Sequence, residues 1–298
     1  MNSKVVNSFG TLHPFVLLIY FAGIIITAMF SMNPVILTFA LLGGVAFMVT
    51  QCSKNEFFSD LFFYIPMFLL IAIINPLFSH KGVTPIFFMN GNPVTVEAIL
   101  YGVDISLMLV SVIYWCKCYS KIMTVDKFLF LFGKAAKKLS LVLSMAIRFI
   151  PLFRDNFREI RQVQMSLGLY NKKGILNKLS SELKVFSALI TKALENSADT
   201  SASMRARGYG LKGRSHFSLF KFRKRDLVFT VILTILFSVT ITGFCLGVTD
   251  FTFYPHLDSL RLDIVSGVVY ISFGIIAFLP FITEIREAIV WKLSVSKI

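Results

Sequence analysis

The sequence predicts an all-α membrane protein, with about six transmembrane helices and a cytoplasmic domain of long helices inserted after the fourth. Three observations carry that expectation. Of the 298 residues, 56% are hydrophobic and only 15% charged, with a mean hydropathy of +0.74; a soluble domain of this size carries many more charges. Six apolar stretches have the length a bilayer requires, about 20 residues at about 1.5 Å rise each. The charge, finally, is gathered in one place. Residues 121–225 hold 22 of the 30 Lys and Arg against 6 of the 16 Asp and Glu, so this third carries +16 and the remainder −2. The chain therefore divides into 1–120 with four spans, 121–225 as the cytoplasmic helical domain, and 226–298 with the last spans.

The spans are read at Pro14–Phe30, Pro34–Thr50, Phe57–Asn75, Ala98–Cys116, Leu227–Thr249 and Ile264–Phe281. The first two are separated only by Ser31-Met32-Asn33, a tight hairpin in which Pro34 suits a helix start. Pro76 is expected to end the third span, with Gly82 permitting a turn beyond it. Val83–Val96 mixes apolar residues around Asn90-Gly91-Asn92-Pro93, a turn signature between two short extended runs. Glu97 then falls in the first turn of the fourth span, at the positive end of its dipole. Positive charge resists translocation, which puts 121–225, both termini and Lys54 inside the plasma membrane and the 76–96 loop outside. The N-terminus shows no cleavable signal, because only Lys4 precedes the first apolar segment and no small-residue cleavage site follows.

Within the basic third, residues 124–138 set Phe128, Leu129, Leu131 and Phe132 against Lys127, Lys134, Lys137 and Lys138, the pattern of an amphipathic helix. A second helix is expected from about Ser140 to Gln164, kinked at Pro151, with Gly168 closing it after Ser166-Leu167. Asn171-Lys172-Lys173-Gly174 reads as a turn. A third helix then runs from about Leu176 to Arg207, with Leu179, Leu183, Phe186, Ile190, Ala193, Ser197, Thr200 and Met204 in one stripe at three- and four-residue spacing. The stripe is bulky at first and small later, so a close crossing with another helix is expected near Ser197 and Ser201. Arg205-Ala206-Arg207-Gly208 closes this helix. Cations at a helix C-terminus are favoured by about 0.3–1 kcal/mol, and glycine takes the left-handed turn at little cost. A solvated basic cap explains the run. So does a docking tip whose arginine enters an acidic groove of a partner through charge-assisted bonds.

Here the sequence resembles a known family. Ala206-Arg207-Gly208-Tyr209, Arg148-Phe149-Ile150-Pro151, Asn75-Pro76-Leu77-Phe78 with Gly82, and Leu12-His13-Pro14 are similar, in that order, to motifs of the transmembrane T component of energy-coupling factor transporters, ABC-type importers of vitamins and metal ions. The resemblance covers roughly residues 12–247. It implies two cytoplasmic coupling helices, each ending in an Ala-Arg-Gly type motif docked on one of two ATPase subunits (a homo- or heterodimer). It also implies a small membrane-embedded S component that binds the substrate, and faces toward it around Asn75, Pro76, Pro151, Ser197 and Ser201. ATP and Mg would reside on the ATPase subunits, with no cofactor on this chain. There are two departures. Ser166-Leu167-Gly168 stands where the first motif is expected, without its arginine; Arg161 or Arg158 can substitute, or Leu167 can dock through apolar contact. Ile264–Phe281 lies beyond the single span usual after the second motif.

What is missing narrows the function further. No G-x-x-x-x-G-K-[ST] phosphate loop is present, and no nucleophile–base constellation appears, so the chain is not expected to be an enzyme by itself. Cys52, Cys116, Cys118 and Cys245 are scattered, as are the four histidines, which leaves no metal-ligand spacing. Asp104 is the main intramembrane charge, placed near a polar interface or the outer end, and Lys117 is expected to snorkel to the surface. A secondary transporter acting alone would show inverted or tandem repeats, which are not seen. A nucleic-acid partner is not expected either, because an apolar stripe interrupts the basic block and it offers little stacking surface.

Overall fold

The computed structural model describes residues 8–79, 81–89, 92–135, 137–168, 174–211, 220–259 and 263–295. Among them the chain forms α1 (Pro14–Phe30), α2 (Pro34–Gln51), α3 (Lys54–Phe78), β1 (Pro85–Met89), β2 (Asn92–Thr95), α4 (Val96–Ile122), α5 (Val125–Ala135), α6 (Lys137–Ser166), α7 (Ile175–Ala206), α8 (Lys224–Cys245) and α9 (Ile264–Val295). The protein is an all-α membrane protein. Helices α2, α3, α4, α8 and α9 are long and apolar enough to cross a bilayer, while α1 is apolar but only 17 residues long. The chain separates into two compact units: residues 1–127 with 220–298, and residues 128–219.

In the first unit, polar caps fix where the helices begin. His13 accepts the Phe15 N–H at Nδ1, and Asn33 accepts the Val35 N–H at Oδ1, so the proline opening each helix needs no donor of its own. The Asn33 amide also donates to Thr249 O (3.1 Å) and Tyr270 Oη (3.0 Å), which ties the α1–α2 hairpin to the far ends of α8 and α9. Behind it lies an aromatic core. Phe9, Tyr20, Phe21, Phe47 and Trp115 meet mostly edge to face at 5.2–6.4 Å, the geometry their quadrupoles prefer. Trp115 Nε1 donates to Ala40 O at 2.9 Å, so the one polar atom of the ring is satisfied inside the core.

Helix α9 is embedded deeply rather than added at the edge. A Cβ on Gly43 of α2 would lie 2.7 Å from Ala277 O, so the two backbones touch there and only glycine fits. Pro280 cannot donate to Ile276 O, four residues before it, and Tyr20 Oη from α1 donates to that carbonyl instead, at 2.9 Å.

Three expectations need correction. Pro76 does not end α3: the helix continues to Phe78, because α4 packs along it and Gly102 sits against the freed Ala72 carbonyl, Asn75 and Pro76. Pro76 is buried in that crossing. Lys117 does not simply snorkel. It pairs with Asp60 of α3, and its ammonium lies 5.9 Å over the Tyr64 ring, so the charge is neutralised across the α3–α4 interface. The helices also run further than the apolar runs suggest, since α4 reaches from Val96 to Ile122.

The expected hairpin is present. β1 and β2 are antiparallel, with Phe88 opposite Pro93 and Met89 opposite Asn92; Asn90 and Gly91 lie outside the described residues. Glu97 accepts the Thr84 hydroxyl at 2.8 Å, which ties the hairpin to the first turn of α4. Asp104 is 3% exposed within α4, with Oδ1 buried. The cysteines are unpaired: Cys118 is buried and Cys52 accepts from Lys121 Nζ at 2.9 Å. Among the described residues no cluster has the makings of a metal site.

Candidate coupling site

The second unit is built from α6 and α7 with the end of α5. In α5, Phe128 and Phe132 lie one turn apart and their rings meet at 4.6 Å. Ser140 Oγ donates to Leu129 O at 3.1 Å and closes the turn into α6. Helix α6 continues through Pro151, with Phe149 and Phe153 stacked at 5.7 Å on either side of it. The side chains of Lys134, Lys137 and Lys138, and the turn residues 171–173, lie outside the described set.

Helices α6 and α7 pack antiparallel. Asn156 and Val185 are buried between them, and two ion pairs cross the seam: Arg161 to Glu182 and Lys192 to Glu159, each at 3.0 Å. These pairs are partly exposed and contribute little stability, but they fix which residues face each other. Arg161 is therefore held against α7 rather than extended from the tip of α6.

The sequence stripe on α7 is not the face that packs on α6. Leu179, Leu183, Phe186 and Ile190 are 57%, 59%, 53% and 44% exposed, whereas Ser181 and Val185, about half a turn round, are buried. Of the later members, Ala193, Thr200 and Met204 are half-buried. There the small residues leave a groove rather than a tight contact. Ser197, Thr200, Ser201, Met204, Arg205 and Tyr209 face Leu141, Met145 and Phe149 across a cavity of about 310 Å³, lined almost wholly by apolar atoms. Pro151 is exposed on α6, two residues along from Phe149.

Each long helix closes on a left-handed glycine. At the end of α7, Gly208 has φ +73°. The Tyr209 N–H donates to Met204 O at 3.0 Å and the Gly208 N–H to Arg205 O at 2.9 Å, the two bonds of a Schellman closure. Gly168 has φ +78°, and its N–H donates to Met165 O at 3.0 Å. Arg205, Ala206 and Arg207 are exposed, as are Ser166 and Leu167, the latter by 73%. Because α6 and α7 are antiparallel, these closures stand at opposite ends of the pair. The 32 residues of α7 separate them by about 48 Å at 1.5 Å per residue. The spacing follows from tertiary pairing, and no local pattern in the sequence announces it.

The chain is similar in sequence to known proteins. The family described as CbiQ, cobalt transport protein, matches residues 6–219. A relative from Staphylococcus aureus, named energy-coupling factor transporter transmembrane protein EcfT, is 27% identical over 191 residues, covering 60% of this chain and 70% of the relative. Relatives of the same name from Lactobacillus helveticus and Listeria innocua are 30% and 33% identical, each over 33% of this chain. The chain spans only 36% and 38% of the length of those two proteins. The family match takes in α1 to α7 and both glycine closures and stops just before α8. The chain belongs to the CbiQ cobalt transport protein family, that of the transmembrane T components of energy-coupling factor transporters.

Proposed function

We propose that this chain is the coupling scaffold of an ATP-driven importer. It holds a small substrate-binding S component in the membrane and passes to it the motion of two ABC ATPase subunits, which carry the ATP and Mg. The observation that carries this reading is the pair of glycine-closed helix ends at opposite ends of one antiparallel rod. Two ATPase subunits offer two grooves, and two separated tips engage both at once. Movement of the grooves then reaches the rod as a displacement of its ends, which a hydrogen-bonded helix transmits without bending much.

The tips differ in chemistry. At Gly208 the exposed Arg205 and Arg207 form charge-assisted bonds with an acidic groove. At Gly168 the exposed Leu167 docks through apolar contact, since Arg161 is engaged with Glu182. The exposed row Leu179, Leu183, Phe186 and Ile190 supplies an apolar surface for the S component or for lipid headgroups around it. The cargo is a vitamin or a metal ion, and its identity is set on the S component. In this arrangement the termini and residues 121–225 face the cytoplasm and the β-hairpin faces outward.

Arg207→Glu tests the reading. Removing one partner of a buried charge pair typically costs about 2–5 kcal/mol, so the ATPase subunits recovered with the tagged, solubilised chain should fall at least about tenfold. The amount of chain in the membrane should be unchanged. Full recovery of ATPases with the variant, or none with the unsubstituted chain, overturns the proposal.

A further inference from the structure

A rod passes on displacement only if the places where it joins the membrane part do not yield. The chain leaves the first unit after Lys127 and returns to it at Phe220. On both sides, contacts lying wholly within that unit lead to one short segment, Ser8–His13. On the outgoing side, Lys127 Nζ donates to Gly10 O at 2.7 Å and to Ile122 O at 2.8 Å. Burial holds its ammonium below the usual lysine range. On the returning side, Asp226 accepts the His13 N–H at Oδ1 (3.2 Å) and the Arg223 N–H at Oδ2 (2.9 Å). Arg225 donates to Thr11 Oγ1 at 2.6 Å, and the Phe222 ring meets His13 edge-on at 5.3 Å.

The segment itself is pinned from a third direction. Glu284 of α9 accepts the Ser8 and Phe9 N–H groups at 3.2 and 2.9 Å, and Arg225 reaches Glu287 at 3.8 Å. Phe9 is 1% exposed in the aromatic core. Segments near a chain end fray unless something holds them. Here two carboxylates, an ammonium and a guanidinium converge on six residues.

We infer that Ser8–His13 is a fixed anchor within the first unit, with Lys127 and Asp226 as positioning residues that hold the outgoing and returning chain connections to it. The inference rests on the coupling function proposed above, and it deepens that reading by naming where the force is borne.

Its test needs only the full chain in lipid nanodiscs. Spin labels carried on unnatural amino acids replace the exposed residues Phe62 and Val125, the latter beside the outgoing connection, and in a second sample Phe62 and Ile264, all in the first unit. Pulsed electron–electron distances are then measured. Lys127→Met and Asp226→Asn should each widen the Phe62–Val125 distribution about twofold, while the Phe62–Ile264 distribution stays narrow and Lys127→Arg preserves both. Unchanged widths in both variants, equal widening of both label pairs, or a broad distribution in the unsubstituted chain would each overturn the inference. No ATPase takes part, so failure here is separable from failure of the coupling proposal, which the recovery of ATPase subunits decides.

Discussion

Tyr20 and Pro280 complete each other across 260 residues of sequence, the hydroxyl of one replacing the hydrogen bond that the ring of the other removes at Ile276 O. A buried acceptor left without a partner costs about 1–3 kcal/mol. Tyr20→Phe should therefore lower the thermal midpoint of the detergent-solubilised chain, and adding Pro280→Ala, which restores the N–H, should recover most of the loss. Additive losses in the double variant would show that the two residues act independently. Nothing in the sequence near either residue signals this pairing. The same holds for Lys117, whose charge reads locally as one that snorkels to the surface; its pairing with Asp60 appears only in the α3–α4 contact. Gly208 and Gly168 were legible for the opposite reason. A left-handed closure is a property of the last turn alone, and its cause lies within a few residues of its effect.

Helix α7 shows what periodicity reports and what it does not. Its heptad-like spacing identifies a long amphipathic helix correctly, yet it cannot say which of two apolar faces is used inside the chain. The helix buries Ser181 and Val185 and leaves the bulkier face outward. The two faces should respond differently to truncation. Val185→Ala opens a cavity and should destabilise the α6–α7 pair by about 1–3 kcal/mol. Leu183→Ser should leave the thermal midpoint nearly unchanged while reducing recovery of the S component with the solubilised chain. Loss of stability in Leu183→Ser comparable to that in Val185→Ala would place both residues in one core. The corrected end of α3 has a similar origin, because proline is tolerated within a helix wherever a neighbour covers the freed carbonyl, and Gly102 does so here.

Across the whole molecule, composition and charge placement made the fold class plain, since bilayer length and the asymmetry of Lys and Arg are global quantities that need no contact information. The place of α9 was not legible in the same way. As sequence it is one more apolar stretch lying after the residues the family match covers; as structure it touches the α2 backbone at Gly43 and pins the N-terminal segment through Glu284. Ending the chain at Asp263 should thus strip folded protein from the membrane rather than merely remove an accessory span, and immunoblots of membrane fractions would check this. Accumulation at the level of the full chain would show α9 to be dispensable. The outward row on α7 has a bearing on the cell as well. On the function proposed above, a copy made in excess of its companions would show water a strip of leucine, phenylalanine and isoleucine of the kind that chaperones and quality-control proteases recognise. On that proposal, unassembled copies would be marked for removal, and the supply of companion subunits would set how much of this protein endures.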